Sequence, residues 1–191
     1  MNQATTDSIP YLRIYLTGFM GSGKSTLGAA LADRLGYAFL DLDQEIVRRI
    51  EMPIAEYFQT HGEVRFRRLE TSLLHETQAE ERVVVAVGGG ALVSEANLAF
   101  AREQGLVVYL MVDQGEIIRR LRAEQHSRPM LLDDAGHLLP EKRVEERIAR
   151  LFAAREPYYH RAHLSVDLSG LSVDAAGERL RAEIEAYARR H

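Results

Sequence analysis

Gly18, Gly23, Lys24 and Ser25 stand at the spacing G-x-x-x-x-G-K-[ST], with Phe19, Met20, Gly21 and Ser22 in the free positions. Glycines in such a loop let backbone N–H groups turn inward around phosphate oxygens, and the helix N-terminus beyond adds partial positive charge. Lys24 then reaches the outer phosphates, and the Ser25 hydroxyl is of the type that ligates Mg²⁺. The chemistry of the stretch is nucleotide phosphate binding.

A second group of residues could supply an acceptor site. Asp41 and Asp43 are two apart at the expected C-terminal end of a strand, the ligand side of an α/β sheet, and alternation points both the same way. One can support a Mg²⁺ shell while the other faces an acceptor hydroxyl. An Asp after a strand also caps a following helix, which Asp43 could do before Gln44-Glu45-Ile46, but capping accounts for only one of the pair. Glu63, Arg67 and Glu70 share a helix face, so either carboxylate can orient the guanidinium, although such pairs also decorate ordinary surfaces. Gly88-Gly89-Gly90 follows an apolar run and offers backbone N–H groups to an anion; its plainer use is a tight turn. Arg155 continues the inward stripe Val144, Ile148 and Leu151, and a charge on that face needs a partner or a ligand. Arg128 lies in a polar segment, about 125–139, that has the character of a mobile lid and could bring it onto transferring phosphate. The seven histidines show no close metal-ligand spacing outside His160 and His163, so a zinc site is not expected.

The elements that position these groups follow from periodicity. Leu12, Ile14 and Leu16 alternate as a strand, and Leu27, Leu31 and Leu35 recur as a helix ending near Gly36. A strand is expected over 37–40 and helices over 44–50, from Pro53 to near Gly62, and from Glu63 to about Gln78. Val83 to Val87 reads as a buried parallel strand. A helix over 95–102, a strand over 106–112 and a helix from Gly115 to about Glu124 come next. Glu141 to Glu156 is helical and Pro157 is expected to stop it; a strand over 163–167 and a helix over 173–190 close the chain. Strand alternating with helix means α/β architecture, a parallel sheet with helices on both faces.

The 191 residues suffice for one domain over 11–191, with 1–10 expected as a flexible tail. A formal charge of −4 argues against a general nucleic-acid or membrane-surface role. No cysteine is present, which excludes disulfides and thiolate ligands and suits a reducing compartment. No apolar run approaches ~18 residues, and the start of the chain lacks signal-peptide character, so the cytoplasm is the expected location.

The ordered motifs GFMGSGKST, DLD, GEVRFRRLE, VGGGA, RPML and REPYY resemble those of the shikimate kinase family, and the resemblance runs from Leu12 to about Arg190. It implies a three-layer P-loop NTPase fold similar to nucleoside monophosphate kinases, with a central five-stranded parallel sheet, a lid and a substrate-binding region after the second strand. The implied activity is transfer of the ATP γ-phosphate to the 3-hydroxyl of shikimate, giving shikimate 3-phosphate in aromatic amino acid biosynthesis. Carried over by position, Gly21, Ser22, Gly23, Lys24, Ser25 and Thr26 hold the nucleotide. Ser25 ligates one Mg²⁺ per subunit, with Asp41 supporting it through water. Asp43 binds ring hydroxyls and assists as base, while Arg67, Gly89 and Arg155 hold the carboxylate. Arg128 contacts ATP phosphates, Arg119 or Arg120 stacks on adenine, and a last nucleotide contact lies near 168–172. The implied catalytic residues are thus Lys24, Asp43 and Arg128, and the implied partners are shikimate and MgATP, with no nucleic acid, membrane or obligate protein partner. Glycines replace the Walker B aspartate after the 83–87 run, which leaves Asp41 as the one obvious metal-supporting carboxylate. The alternatives are a kinase for another small carboxylated metabolite and a catalytically silent nucleotide-binding regulator.

Overall fold

A computed structural model describes residues 9–123 and 139–191. Five strands, β1 (Arg13–Thr17), β2 (Ala38–Asp41), β3 (Val83–Ala86), β4 (Leu106–Met111) and β5 (Leu164–Asp167), form one sheet in the order β2-β3-β1-β4-β5. Every pairing is parallel, with Tyr15 opposite Val85 on one side and Val107 on the other. The loops leaving β1, β2 and β3 therefore open on the same edge.

Parallel strands buried on both faces need apolar residues at successive positions. In β1, Ile14 and Leu16 face a layer built on α1 (Lys24–Leu35), α5 (Gln114–Ala123), α6 (Glu141–Tyr159) and α7 (Val173–Ala188), where Leu27, Leu121, Ile148 and Leu180 are buried. Tyr15, between them, faces the opposite layer of α2 (Leu42–Ile50), α3 (Ile54–Glu76) and α4 (Glu95–Gln104), where Ile46, Leu73 and Leu98 are buried. The expected three layers are present. Among the described residues no helix is long and apolar enough to cross a membrane.

Local chemistry sets the helix ends. α1 stops at Gly36, whose left-handed conformation (φ 65°) lets its N–H reach the carbonyls of Ala32 and Asp33. α3 is broken at Gly62 (φ 77°, ψ 164°), so the two helices expected around this glycine join end to end across a kink. Local chemistry explains two departures from the expected boundaries. α2 begins at Leu42 rather than Gln44, because the Asp41 carboxylate caps it. Pro157 does not stop α6, which continues to Tyr159; the proline falls in the last turn, where its missing N–H removes one bond, and Tyr159 beyond it is 1% exposed and anchored in the core.

Of the expected tail, residues 1–8 lie outside the described residues, while Ile9 is buried and its carbonyl accepts a hydrogen bond from Tyr37 Oη at 3.2 Å. The expected lid lies outside the described residues except for Leu139, and Arg128 lies outside them too.

Candidate functional site

The glycine loop between β1 and α1 lines a cavity of about 440 Å³. Gly18, Gly21 and Gly23 have positive φ (144°, 77° and 90°), which other residues adopt only with strain. At Gly18 space adds to this, since a Cβ there would lie 2.8 Å from the Leu110 carbonyl oxygen. Lys24 Nζ donates to the carbonyls of Gly18 and Phe19, each at 3.0 Å, so its ammonium sits over the loop. The Ser22 hydroxyl is buried with no hydrogen-bond partner, an orphaned polar atom inside a phosphate-shaped loop.

Asp43 lines the cavity, and Asp41 is joined to it through Ser25. Asp41 ends β2, and one carboxylate oxygen accepts from the amides of Asp43 (3.0 Å) and Gln44 (3.2 Å) while the other accepts from Ser25 Oγ at 2.5 Å. Asp41, not Asp43, is therefore the helix cap. Asp43 stands in the first turn of α2, not on a strand, so strand alternation is not what aims it. Its Oδ1 lies 2.8 Å from where a Cβ on Gly88 would be.

Two of the three glycines after β3 meet this crowding. A Cβ on Gly88 would also lie 2.8 Å from Glu70 Oε1, and one on Gly90 would lie 2.7 Å from Arg67 Nη1. A Cβ on Gly89 would lie 3.4 Å from both Gly18 O and Met20 N, so the run lies against the phosphate loop. None of the three has positive φ; a side chain at Gly88 or Gly90 would displace the Asp43, Glu70 or Arg67 groups, while one at Gly89 would meet only ordinary contact.

Arg67 is held from two sides, by Glu63 Oε1 at 3.2 Å and by Glu70 Oε2 at 2.7 Å. Glu70 is 2% exposed. Burial pushes its carboxyl above the usual range and the Asp43 charge adds to this, while the guanidinia of Arg67 and Arg155 pull it back. Arg155, from α6, lies with its Cζ 5.8 Å from the Phe19 ring centre and its Nη1 3.6 Å from the Cβ position of Gly89. Two guanidinia from separate helices thus flank the glycine run, an arrangement suited to a planar carboxylate.

Of the two candidate adenine-side arginines, Arg120 lines the cavity and donates to Gly21 O at 2.9 Å, while Arg119 Nη1 lies 3.7 Å from the Cβ position of Gly115 at the start of its own helix. Within 168–172, Leu168 and Leu171 line the cavity. Two contributors escaped the sequence: Glu116, which accepts from Arg120 Nη2 (2.5 Å) and from the Gly170 amide (2.9 Å), and Tyr159, whose hydroxyl donates to Gly89 O (2.5 Å). The i,i+4 pairing of Glu116 with Arg120 was a usable signal for the first. Among the described residues no cluster of three His, Asp or Glu side chains could hold a metal ion.

The shikimate kinase family model matches residues 20–185. The chain is 46% identical over 156 residues to the shikimate kinase of Salinibacter ruber, covering 82% of this chain and 76% of that protein. To the shikimate kinase of Geobacter metallireducens it is 45% identical over 174 residues, covering 91% and 90%. Among solved structures, shikimate kinase from Acinetobacter baumannii in complex with shikimate superposes with a TM-score of 0.81 at 33% identity, covering 93% of this chain and 96% of the other. A gluconokinase from Sinorhizobium meliloti, at 18% identity and a TM-score of 0.60, shares the fold.

Proposed function

The chain belongs to the shikimate kinase family, and we propose that it transfers the γ-phosphoryl group of ATP to the 3-hydroxyl of shikimate, giving shikimate 3-phosphate and ADP. One observation carries the choice of acceptor: Arg67 and Arg155 flank a glycine run that abuts Asp43 on one side and the phosphate loop on the other. A small hydroxylated carboxylic acid matches that layout, with its carboxylate between the arginines and the Gly89 N–H and its hydroxyls toward Asp43.

The residues divide the work. Backbone N–H groups from Gly21 to Thr26 and the Lys24 ammonium hold the phosphates and stabilise the charge that spreads over the transferred group. Asp43 orients the acceptor hydroxyl and takes up its proton as the bond to phosphorus forms. Arg128 contributes positive charge to the transferring phosphate. Arg120 and the 168–172 loop form the wall on the base side. Ser25 Oγ and the Asp41 carboxylate are hard oxygen donors joined by a hydrogen bond, a donor set that suits Mg²⁺; Ser25 would hold the ion and Asp41 would support it through water. When bound, Mg²⁺ neutralises negative charge on the β- and γ-phosphates. The absence of cysteine and the soluble substrates suit a cytoplasmic enzyme.

A coupled ADP-release assay with and without shikimate tests this. ATP turnover should depend on shikimate; turnover indifferent to it, or faster with another hydroxy acid from an acceptor panel, overturns the assignment.

A further inference from the structure

We propose that Tyr159 is a positioning residue for the acceptor's carboxylate, acting through Gly89 and Arg155; this rests on the assignment of those two groups to carboxylate binding. Tyr159 is 1% exposed, and its hydroxyl donates to Gly89 O at 2.5 Å across seventy residues of sequence. Arg155 precedes it by one helical turn on the same face of α6. The Arg155 charge acts on the same phenol, pulling its pKa down against the burial that raises it. One side chain thus joins the glycine and the arginine on which the carboxylate would rest.

The need for such a tie comes from Gly89 itself. Without a Cβ, the residue has wide freedom of rotation, and the Cβ position faces Met20 N and Gly18 O rather than open space. A hydrogen bond on its carbonyl restricts that rotation and so aims the neighbouring N–H groups. A phenol is suited to the task because it has two side-chain torsions and its ring is clamped, here by Tyr109 at 5.1 Å between centroids. Packing alone would be served by phenylalanine; the hydroxyl is accounted for by its bond to the site.

The test compares Tyr159→Phe with Tyr109→Phe, which loses a phenol hydroxyl from the neighbouring buried tyrosine. Tyr159→Phe should raise the shikimate KM and the calorimetric Kd for shikimate roughly two- to tenfold, the range expected for one intramolecular hydrogen bond. The ATP KM, the ADP Kd and kcat should stay within about twofold, and Tyr109→Phe should move none of them. Calorimetry reads the folded fraction, so a loss of stability lowers the apparent stoichiometry and leaves Kd interpretable. An unchanged shikimate Kd in Tyr159→Phe overturns the inference, as does a parallel loss of shikimate and ADP affinity, which marks a general structural role. Absence of shikimate-dependent turnover in the unaltered chain overturns the underlying assignment instead. If Arg155→Lys raises the shikimate KM while Tyr159→Phe does not, only the inference fails.

Discussion

Glu70 Oε2 lies 2.7 Å from Arg67 Nη1, with the carboxylate 2% exposed and the arginine side chain 34% exposed. The pair is asymmetric: the buried member cannot recruit water, while the partly exposed arginine lies with its guanidinium against Gly90. The arrangement aims Arg67 and costs desolvation of Glu70. Glu70→Ala should therefore harm binding through Arg67. The shikimate KM should rise at least about tenfold with a smaller change in the ATP KM, and stability should fall by about 1–3 kcal/mol, read from urea midpoints. Equal effects on both substrates would count against an orienting role.

The same burial predicts a pH dependence. Because the folded-state pKa of Glu70 is raised above its unfolded value, the folded protein holds this proton more tightly. Its contribution to stability is therefore greatest in acid and declines as pH rises from the ordinary glutamate range through the raised value. Glu70→Gln has no such proton. The stability gap between the unaltered protein and Glu70→Gln should shrink as pH rises above the ordinary glutamate range, measured by urea denaturation at each pH. A gap that widens instead contradicts the raised pKa.

Asp43 should separate chemistry from nucleotide binding. It adjoins Gly88 beside the groups proposed to bind the acceptor, whereas Asp41 carries the contact to Ser25. Asp43→Asn keeps size and hydrogen bonding but cannot accept the hydroxyl proton, so kcat should fall about 10²- to 10⁴-fold. The ADP Kd should remain within about threefold. Asp41→Asn should do the reverse in kind, raising the Mg²⁺ concentration needed for half-maximal rate. Parallel losses in both variants would dissolve the division of roles.

These roles differ in how far they could be read from the chain. The phosphate loop was legible because its determinants are local: glycine conformation, lysine reach and the following helix all lie within Gly18 to Ser25. Arg155 was legible because a charge on an apolar helical stripe is a local contradiction. The strand order was not deduced from the residues, since the alternation of elements specifies parallel pairing but not neighbours; the number of strands came from the family resemblance. Asp43 was aimed by the wrong device. Strand alternation would have pointed it with Asp41, but Asp41's own carboxylate starts the helix two residues earlier. Tyr159 stood in plain view within REPYY, yet its partner lies across the fold, so nothing near it in sequence marked the hydroxyl. Glu116 has the same difficulty with Gly170, whose left-handed turn (φ 72°) frees the amide it accepts from.

Glu116 is also where the nucleotide side of the site can be tested without touching the acceptor side. One carboxylate oxygen holds Arg120, which in turn donates to Gly21 O, and the other holds the Gly170 amide. Phosphate loop, α5 and the loop after β5 are thereby fastened through a single side chain that is only 14% exposed. A carboxylate can accept from both donors at once; an amide of the same shape offers one oxygen and must turn an N–H toward the other. Glu116→Gln should release either the arginine or the loop, raising the ATP KM roughly three- to thirtyfold with the shikimate KM at saturating ATP unchanged. Glu116→Ala should do no less. If both variants leave the ATP KM unaltered, Arg120 and the 168–172 loop are held in place by other contacts and the carboxylate is surface chemistry.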